Sequence, residues 1–540
     1  MPAGIQKRKD NVSWAAISLD FSSHRELLMP KAAYSRYNPA LCTVEYIKDH
    51  FTDGTQFVSF FTEPLFVFEN NAAVSEEFRM ANALRTQVEG KERAQEAAAP
   101  QIPHIEMAGR SATLEAAVKR EPNPVKKFFK ILGPGLITGA SDDDPSGIGT
   151  YAVAGASLGF STLWTALFTF PLMAAVQFIC AKVGMVSGMG LARVLRQHYS
   201  RTLLYPVVFG LVVANTINAG ADIGAIAAAL NLLVPVPVIA MIVPVTLLIL
   251  ALQVWCSYRT ISRIFKWLTL TLFAYIGSAF FARPNIIEVL KGTFIPTFSF
   301  DSTFLSTLVA ILGTTISPYL FFWQASQEVE EEISMGRRTL QARRGATDAE
   351  LKYAAWDVNT GMLFSNVVMY FIILATAATL FKAGQTNVQS ATDAAQALRP
   401  IAGDGASILL ALGLIGAGLL AVPILTGSGA YAVAEAFGGR HGFNLKPARA
   451  KLFYAVIAAS TLVGMLINFA GINPISALFW TAVINGLLAP PLLIVIMLIA
   501  NNKEVMGERV NGRGTNFLGW LTTAVMFAAA IGLVLTWGNQ

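Results

Sequence analysis

Residues 141–149 read SDDDPSGIG, and this stretch interrupts an apolar segment that runs from FFKILGPGLITGA into TYAVAGASLGFSTLW. A helix that crosses a membrane needs about 20 apolar residues in succession. Here three carboxylates, one proline and two glycines occupy the middle of such a run. Each buried Asp costs roughly 2.5–3.5 kcal/mol even on a lenient insertion scale. We therefore interpret the stretch as part of a functional site.

The composition is that of an integral membrane protein with a polar N-terminal segment. The 540 residues are 54% hydrophobic and only 14% charged, which is too apolar for an ordinary soluble protein. Residues 1–125 nevertheless hold 30 of the 74 charged residues. We predict a soluble, cytoplasmic extension over 1–125 and a membrane domain over 126–540. The extension fits a regulatory domain, a partner-docking arm or a wrongly assigned start codon, and the sequence does not choose among these.

Composition and motifs exclude several classes of function. The net charge of +6 comes from basic residues at the ends of apolar spans, so we expect no nucleic-acid partner. Cys42, Cys180 and Cys256 are odd in number and far apart, which argues against a disulfide framework or a zinc site. The sequence shows no phosphate-binding loop, His/Cys cluster or nucleophile with a base. We predict that the chain is not an enzyme and needs no cofactor. The sequence does not identify any protein partner.

Apolar runs of spanning length recur from residue 128 onward and are separated by short polar loops. They predict an all-α membrane protein with eleven transmembrane helices. The predicted spans are 130–158, 161–186, 204–230, 234–255, 264–282, 303–328, 354–381, 406–436, 450–470, 473–500 and 515–537.

Lys and Arg in the loops predict how the chain crosses the membrane. They concentrate in the loops after the even-numbered spans, among them Arg193, Arg196, Arg201, Arg259, Arg263, Arg337, Arg338, Arg343, Arg344, Lys352, Arg440, Lys446, Arg449, Lys503, Arg509 and Arg513. The first 20 residues also lack the continuous apolar core of a signal peptide. We expect the N-terminus in the cytoplasm, the C-terminus outside, and the protein in the cell (inner) membrane.

Two spans are interrupted in the same way. The first is broken at residues 144–147 (DPSG), and the sixth is broken at residues 313–318 (GTTISP). Paired broken helices in two halves indicate an inverted-repeat transporter with its site at the midplane. Unwound backbone exposes carbonyl oxygens that a membrane tolerates only where they line a cavity or hold an ion. With Asp144 beside them, they predict a cation site. The alternative is that both prolines only kink packed helices.

The two interrupted segments resemble those of the NRAMP family of divalent-metal transporters. The family's first helix has GPG, a nine-residue interval to Asp-Pro-Gly-Asn, and a following AGA...G...LW. This chain has the same interval from Gly133 to Asp144-Pro145 and then AGASLGFSTLW. The family's sixth helix reads Gly-Ala-Thr-Val-Met-Pro-His, and residues 313–319 read GTTISPY. The resemblance covers about residues 126–537 and implies a LeuT-like fold of 5+5 inverted-repeat helices plus an eleventh.

The resemblance also implies a metal site, in which this chain departs from the family. In the family the metal is held by the Asp and Asn of the first helix, the Met sulfur of the sixth and a backbone carbonyl. Asp144 keeps the Asp, Gly147 replaces the Asn, Ser317 replaces the Met, and Thr314 supplies the carbonyl. Without the soft thioether, oxygen ligands favour hard cations such as Mg²⁺ and also Mn²⁺. We therefore expect transport of Mg²⁺, Mn²⁺ or both, as in a divergent, magnesium-transporter-like branch of the family.

Proton coupling is expected to be weak or absent. The resemblance implies a proton route along the third helix, with an Asp and a Glu three residues later, and through two His positions of the sixth helix. Asp222 keeps the Asp, but Ala225 replaces the Glu, and Tyr319 and Gln324 stand at the two His positions. A proton-coupled Mn²⁺ or Fe²⁺ symporter of the ordinary NRAMP type is the alternative.

Several other polar residues lie in or beside the predicted spans. We expect Asp142 and Asp143 to form a cation-attracting vestibule or the solvated mouth of a cavity. Asn485 either completes the ion shell or bonds a neighbouring helix. Glu328 and the glutamates after it are interpreted as a solvated helix end, and Glu435 as a cap or a partner of a loop cation.

Two rival functions stay open at this stage. One is a sodium-coupled amino-acid symporter on the same fold, which a central Asp144 disfavours because it repels the substrate carboxylate. The other is a membrane metal sensor that binds without transporting.

Overall fold

The computed structural model describes residues 123, 132–255, 273–388, 391–399 and 403–536. Within these ranges all regular secondary structure is helical. The predictions for the extension 1–125 fall outside the described residues, apart from position 123.

The N-terminal part of the described chain contains eight α-helices. They are α1 (Pro134–Asp142), α2 (Pro145–Leu158), α3 (Trp164–Ser187), α4 (Leu191–His198), α5 (Arg201–Leu233), α6 (Val238–Trp255), α7 (Ala274–Phe281) and α8 (Ile286–Phe294).

The C-terminal part contains ten more helices, and α12 is extended by a π-helical turn over Ala377–Phe381. They are α9 (Ser302–Thr315), α10 (Pro318–Ser334), α11 (Leu340–Arg343), α12 (Asp348–Thr376), α13 (Ala391–Gln396), α14 (Ala406–Phe437), α15 (Lys451–Ile467), α16 (Pro474–Asn501), α17 (Lys503–Met506) and α18 (Arg513–Thr536).

Nine segments of the described chain are long and apolar enough to cross a membrane when α9 and α10 are taken together. They coincide with nine of the eleven predicted spans. The first predicted span is present as α1 and α2, which have 9 and 14 residues. The fifth predicted span includes residues 264–272, which lie outside the described ranges. The chain is thus a multi-pass integral membrane protein whose described part is all-α.

Both helix breaks are built by the same local chemistry. Asp144 and Ser317 have extended backbones with ψ of 167° and 130°, and each precedes a proline at the first position of the next helix. Proline disfavours the helical conformation in the residue before it, yet suits the first position of a helix. Each helix therefore ends just before the X-Pro pair and restarts at the proline. The two breaks are at the predicted places but are shorter than predicted, because residues 145–147 and 313–315 are helical.

The broken helices lie at the centre of the bundle because small residues let their backbones approach. A Cβ added at Gly139 of α1 would come within 2.2 Å of the Gly361 carbonyl in α12. A Cβ at Gly313 of α9 would come within 2.3 Å of the Gly486 backbone nitrogen in α16. Side chains at these positions would force the helices apart, so glycine fixes how closely both breaks are held.

The connections after the second, sixth, eighth and tenth predicted spans lie together on one face. The contacts that join them are Gly345 N to Val186 O (2.9 Å), Arg343 Nε to Gly188 O (3.2 Å), Arg193 N to Glu435 Oε2 (3.2 Å) and Lys182 Nζ to Val510 O (3.0 Å). These connections are among the loops in which the sequence concentrates Lys and Arg. Glu435 caps α4 at Arg193 and lies 3.8 Å from His441 Nε2, which confirms its predicted role.

Candidate cation site at the two helix breaks

Asp144 begins α2 and is held by three hydrogen bonds. Its Oδ1 accepts from Gly147 N at 2.6 Å and from Ser146 Oγ at 2.9 Å. Its Oδ2 accepts from Asn218 Nδ2 at 3.1 Å. The side chain is 1% exposed. These hydrogen bonds orient the carboxyl group at a helix N-terminus, where its ionised form is stabilised.

The second break faces the first. A Cβ on Gly147 would lie 3.1 Å from Thr314 Oγ1 and 3.3 Å from the Asp142 carbonyl oxygen. Ser317 Oγ lies 2.6 Å from Thr314 O and 2.9 Å from Gly313 O, so its hydroxyl donates to the free end of α9. Thr314 Oγ1 makes no hydrogen bond of good geometry within the described chain, and the Tyr151 hydroxyl is nearby. The structure thus brings Asp144, Gly147 and Thr314 together, with Ser317 hydrogen-bonded to Thr314.

Asn218 of α5 is a site residue that the sequence analysis missed. Its amide nitrogen donates to Asp144, while its Oδ1 is buried and unpartnered among the described residues. Asn218 lies four residues before Asp222, a spacing that places both on one face of a helix. The spacing could have indicated that Asn218 and Asp222 act together. Only the packing of α5 against the first break shows that their shared face contacts Asp144.

Asp222 lies close to the site. Its side chain is 0% exposed and is near Asp144 and the Ser146 backbone N–H. Neither carboxylate oxygen makes a hydrogen bond of good geometry in the described part of the chain, although the Ser146 N–H is nearby. A buried carboxyl without partners is costly, so this position calls for a proton, water or cation.

Asp142 and Asp143 are buried and do not lie at the solvated mouth of a cavity. Their side chains are 0% and 1% exposed. The last turn of α1 packs on α12, whose Ser365 hydroxyl lies 2.6 Å from Asp142 Oδ2 and 3.2 Å from Asp143 Oδ1. The expectation of solvation was wrong because α12 covers both carboxylates.

The two His-equivalent positions of α10 have structural partners. Tyr319 Oη donates to Ser141 O at 2.9 Å and so joins α10 to α1. Gln324 Oε1 accepts from Thr138 Oγ1 at 2.5 Å, and its Nε2 donates to Glu328 Oε1 at 2.8 Å. Glu328 is only 6% exposed, which contradicts its interpretation as part of a solvated helix end. It is buried because α10 extends inside the bundle to this point.

Asn485 of α16 is also buried, and its Nδ2 has no partner among the described residues. It precedes Gly486, which packs directly on Gly313 of α9. In the described ranges, no three His, Cys, Asp or Glu side chains are arranged to hold a metal ion. Any cation held at the breaks would therefore need neutral oxygen ligands as well.

A second missed residue fixes the start of α1. The Asp357 carboxylate of α12 accepts from Gly133 N at 2.8 Å, Gly135 N at 2.6 Å and Leu136 N at 3.0 Å. These donors are the free N–H groups of the α1 N-terminus. Asp357 thereby attaches the short helix that carries the DDD motif to a long neighbouring helix.

Comparison with known proteins agrees with this architecture. Residues 135–536 match the Nramp family model, described as natural resistance-associated macrophage protein-like. The chain is 27% identical over 442 residues to the divalent metal cation transporter MntH of Bacillus subtilis (strain 168). That alignment covers 79% of this chain and 96% of MntH.

A crystal structure of the Eremococcus coleocola manganese transporter, in complex with an aromatic bis-isothiourea substituted compound, has the same fold. It matches with a TM-score of 0.61 at 19% identity, covering 77% of this chain and 88% of that one. Structures of mutants of the same transporter give a TM-score of 0.57. The chain is therefore a transporter with a LeuT-like fold, not an enzyme, and it belongs to the Nramp family of divalent metal transporters.

Proposed function

We propose that this chain carries Mg²⁺, Mn²⁺ or both across the membrane by alternating access, with the cation bound at the two helix breaks. The observation that carries the proposal is the buried Asp144 carboxylate, which is oriented at the start of α2 opposite Thr314. The B. subtilis and E. coleocola proteins are named as divalent metal and manganese transporters, which supports this class of substrate. The metal ion is cargo, and no cofactor is invoked.

The chemistry of the site favours hard cations. Asp144 supplies a carboxylate, Thr314 a carbonyl and a hydroxyl, and Ser317 a hydroxyl, so every named ligand atom is oxygen. Oxygen ligands suit Mg²⁺ and Mn²⁺, whereas thioethers favour softer metals. Mg²⁺ keeps several waters and needs only one or two carboxylates. Gly147 adds no side chain that would compete with such waters for the surrounding oxygen atoms.

Asn218 is proposed to replace the amide ligand that Gly147 lacks. Its nitrogen is already hydrogen-bonded to Asp144, which leaves the buried Oδ1 as the free ligand atom. An amide oxygen is a suitable ligand for a hard cation. The amide would thus come from α5 instead of the first helix.

The orientation is part of the same proposal. The face that carries Arg193, Arg343 and Arg509 is proposed to be cytoplasmic, since positive residues are retained on that side. The N-terminus then lies in the cytoplasm, the C-terminus lies outside, and the protein resides in the cell (inner) membrane.

Uptake in proteoliposomes tests the proposed site. We expect Asp144→Asn to lose most of its Mg²⁺ and Mn²⁺ uptake, because the amide cannot neutralise the cation. Glu508→Gln removes an exposed carboxylate in a surface turn and is the matched control. Full uptake by Asp144→Asn at equal reconstitution would show that the site lies elsewhere.

Proton-coupled Mn²⁺ or Fe²⁺ symport is the second candidate, and one observation favours it. Gln324 stands at a His-equivalent position, yet it donates to Glu328, a buried and titratable carboxyl one turn further along α10. The main proposal is transport with weak or no proton coupling. Vesicle acidification driven by Mn²⁺, present in the wild type and lost in Glu328→Gln, would instead establish the second candidate.

A further inference from the structure

We propose a second divalent-cation site next to the first, formed by Asp142, Asp143 and Ser365 with the Tyr151 hydroxyl. The inference rests on the proposed function for the identity of the cation. It assigns a role to the two carboxylates of the DDD motif that Asp144 does not explain.

The carboxylates are incompletely satisfied by their surroundings. Ser365 Oγ lies within hydrogen-bond distance of both Asp142 Oδ2 and Asp143 Oδ1. A hydroxyl has a single hydrogen, so it satisfies only one of the two at a time. The other two oxygens, Asp142 Oδ1 and Asp143 Oδ2, are buried and unpartnered among the described residues. Two adjacent, buried carboxylates with free oxygen atoms provide the negative half of a cation site.

Tyr151 is an independent sign of a missing ligand. It lies seven residues after Asp144 and four after Gly147, on the face of α2 that meets the breaks. Its side chain is 0% exposed, and its hydroxyl makes no hydrogen bond of good geometry in the described ranges, although the Thr314 hydroxyl is nearby and equally unsatisfied. That hydroxyl lies close to the carboxylates of Asp142, Asp143 and Asp144. A buried hydroxyl is normally hydrogen-bonded, so unsatisfied hydroxyls on Tyr151 and Thr314 beside buried carboxylates mark a place for a bound ion or its water.

The four carboxyl groups near the breaks need a neutralising partner. Asp142, Asp143, Asp144 and Asp222 are buried and near one another. Among the described residues, no Lys, Arg or His side chain is hydrogen-bonded or ion-paired to any of the four. One divalent cation at Asp144 would offset only half of their charge when all are ionised. A second one on Asp142 and Asp143 would offset the rest.

The ligand chemistry again points to a hard cation. Two carboxylates and two hydroxyls are oxygen ligands of the kind that hold Mg²⁺ or Mn²⁺ through retained waters. The two sites are adjacent in the chain, because Asp142 and Asp144 are two residues apart. Cations in neighbouring sites repel, so filling the second site would weaken binding in the first and promote release.

The stoichiometry of Mn²⁺ binding to the purified full-length chain tests the proposal. We expect two Mn²⁺ per wild-type chain by equilibrium dialysis, and dipolar broadening between them in the electron paramagnetic resonance spectrum. Asp142→Asn/Asp143→Asn should bind one Mn²⁺ without broadening. Ser365→Ala, which keeps both charges, should weaken only the second binding event, by about tenfold. Ser187→Ala removes a buried hydroxyl at the distant end of α3 and should bind like wild type.

One Mn²⁺ per wild-type chain, with no broadening, would overturn the second site and would show that protons neutralise Asp142 and Asp143. Two Mn²⁺ in the double variant would overturn it as well. These outcomes are distinct from failure of the proposed function, which is measured by uptake in Asp144→Asn. That variant should still bind one Mn²⁺ at the second site while losing transport.

Discussion

Gly147→Ala is a direct way to perturb the space for water at the first site. The added Cβ would lie 3.1 Å from Thr314 Oγ1, 3.3 Å from Asp142 O and 3.4 Å from Asp144 Oδ1. The helix itself should tolerate the change, because Ala is the better helix former. Overpacking of this kind costs about 1–3 kcal/mol. Each 1.4 kcal/mol corresponds to a factor of ten, so a cost of this size at the cation site would lower the uptake rate roughly 5-fold to 150-fold.

We expect Gly147→Ala to reduce Mg²⁺ uptake by roughly 5-fold to 150-fold and Mn²⁺ uptake less, because Mg²⁺ dehydrates more reluctantly. The assay is the initial uptake rate of each ion in proteoliposomes. Gly532→Ala is a matched control within a membrane helix, where the added Cβ meets Leu305 carbons at ordinary distances of 3.7 and 3.8 Å. An unchanged rate, or an equal fall for both ions, would refute the role of Gly147 in holding hydration space.

Three further variants test other parts of the structure. Ser317→Met supplies a thioether beside Thr314, so we expect the ratio of Cd²⁺ to Mg²⁺ uptake to rise. Asp357→Asn removes the charge that accepts from three α1 amides, and we expect a loss of about 1–3 kcal/mol in stability, measured as a lower melting temperature than that of Glu508→Gln. Hydrogen bonds from Ser299 and Phe304 hold the pKa of Asp301, the cap of α9, below its usual range. Its contribution to stability should therefore be complete above about pH 4 and lost as the pH falls through the lowered pKa, with a flatter melting-temperature profile in Asp301→Asn.

The breaks were predictable because their causes are local. An X-Pro pair inside an apolar run ends one helix and starts another, and this rule locates Asp144 and Ser317 correctly. The apolar runs likewise predicted nine spans that the structure contains. Local sequence predicts a structural feature correctly where the contacts that determine it lie within one or two helical turns.

The remaining site residues depend on contacts between distant helices. Asp357 caps α1 across more than 220 positions of sequence, and Asn218 reaches Asp144 from α5. Asp142 was expected in a vestibule or the solvated mouth of a cavity, and Glu328 at a solvated helix end, yet neighbouring helices cover both. A single sequence does not reveal which polar face of a helix is covered by another helix.

Parallel uptake of Mg²⁺ and Mn²⁺ by the wild-type chain tests the hydrated hard-ion site most directly. The measurement uses proteoliposomes under an inside-negative potential, with excess Ca²⁺ as a competitor. A site built from Asp144, Thr314, Ser317 and water predicts robust Mg²⁺ uptake alongside Mn²⁺. Mn²⁺ uptake with Mg²⁺ excluded would contradict it, and would mean that Asp144 and the backbone carbonyls strip the ion of its water despite the missing thioether.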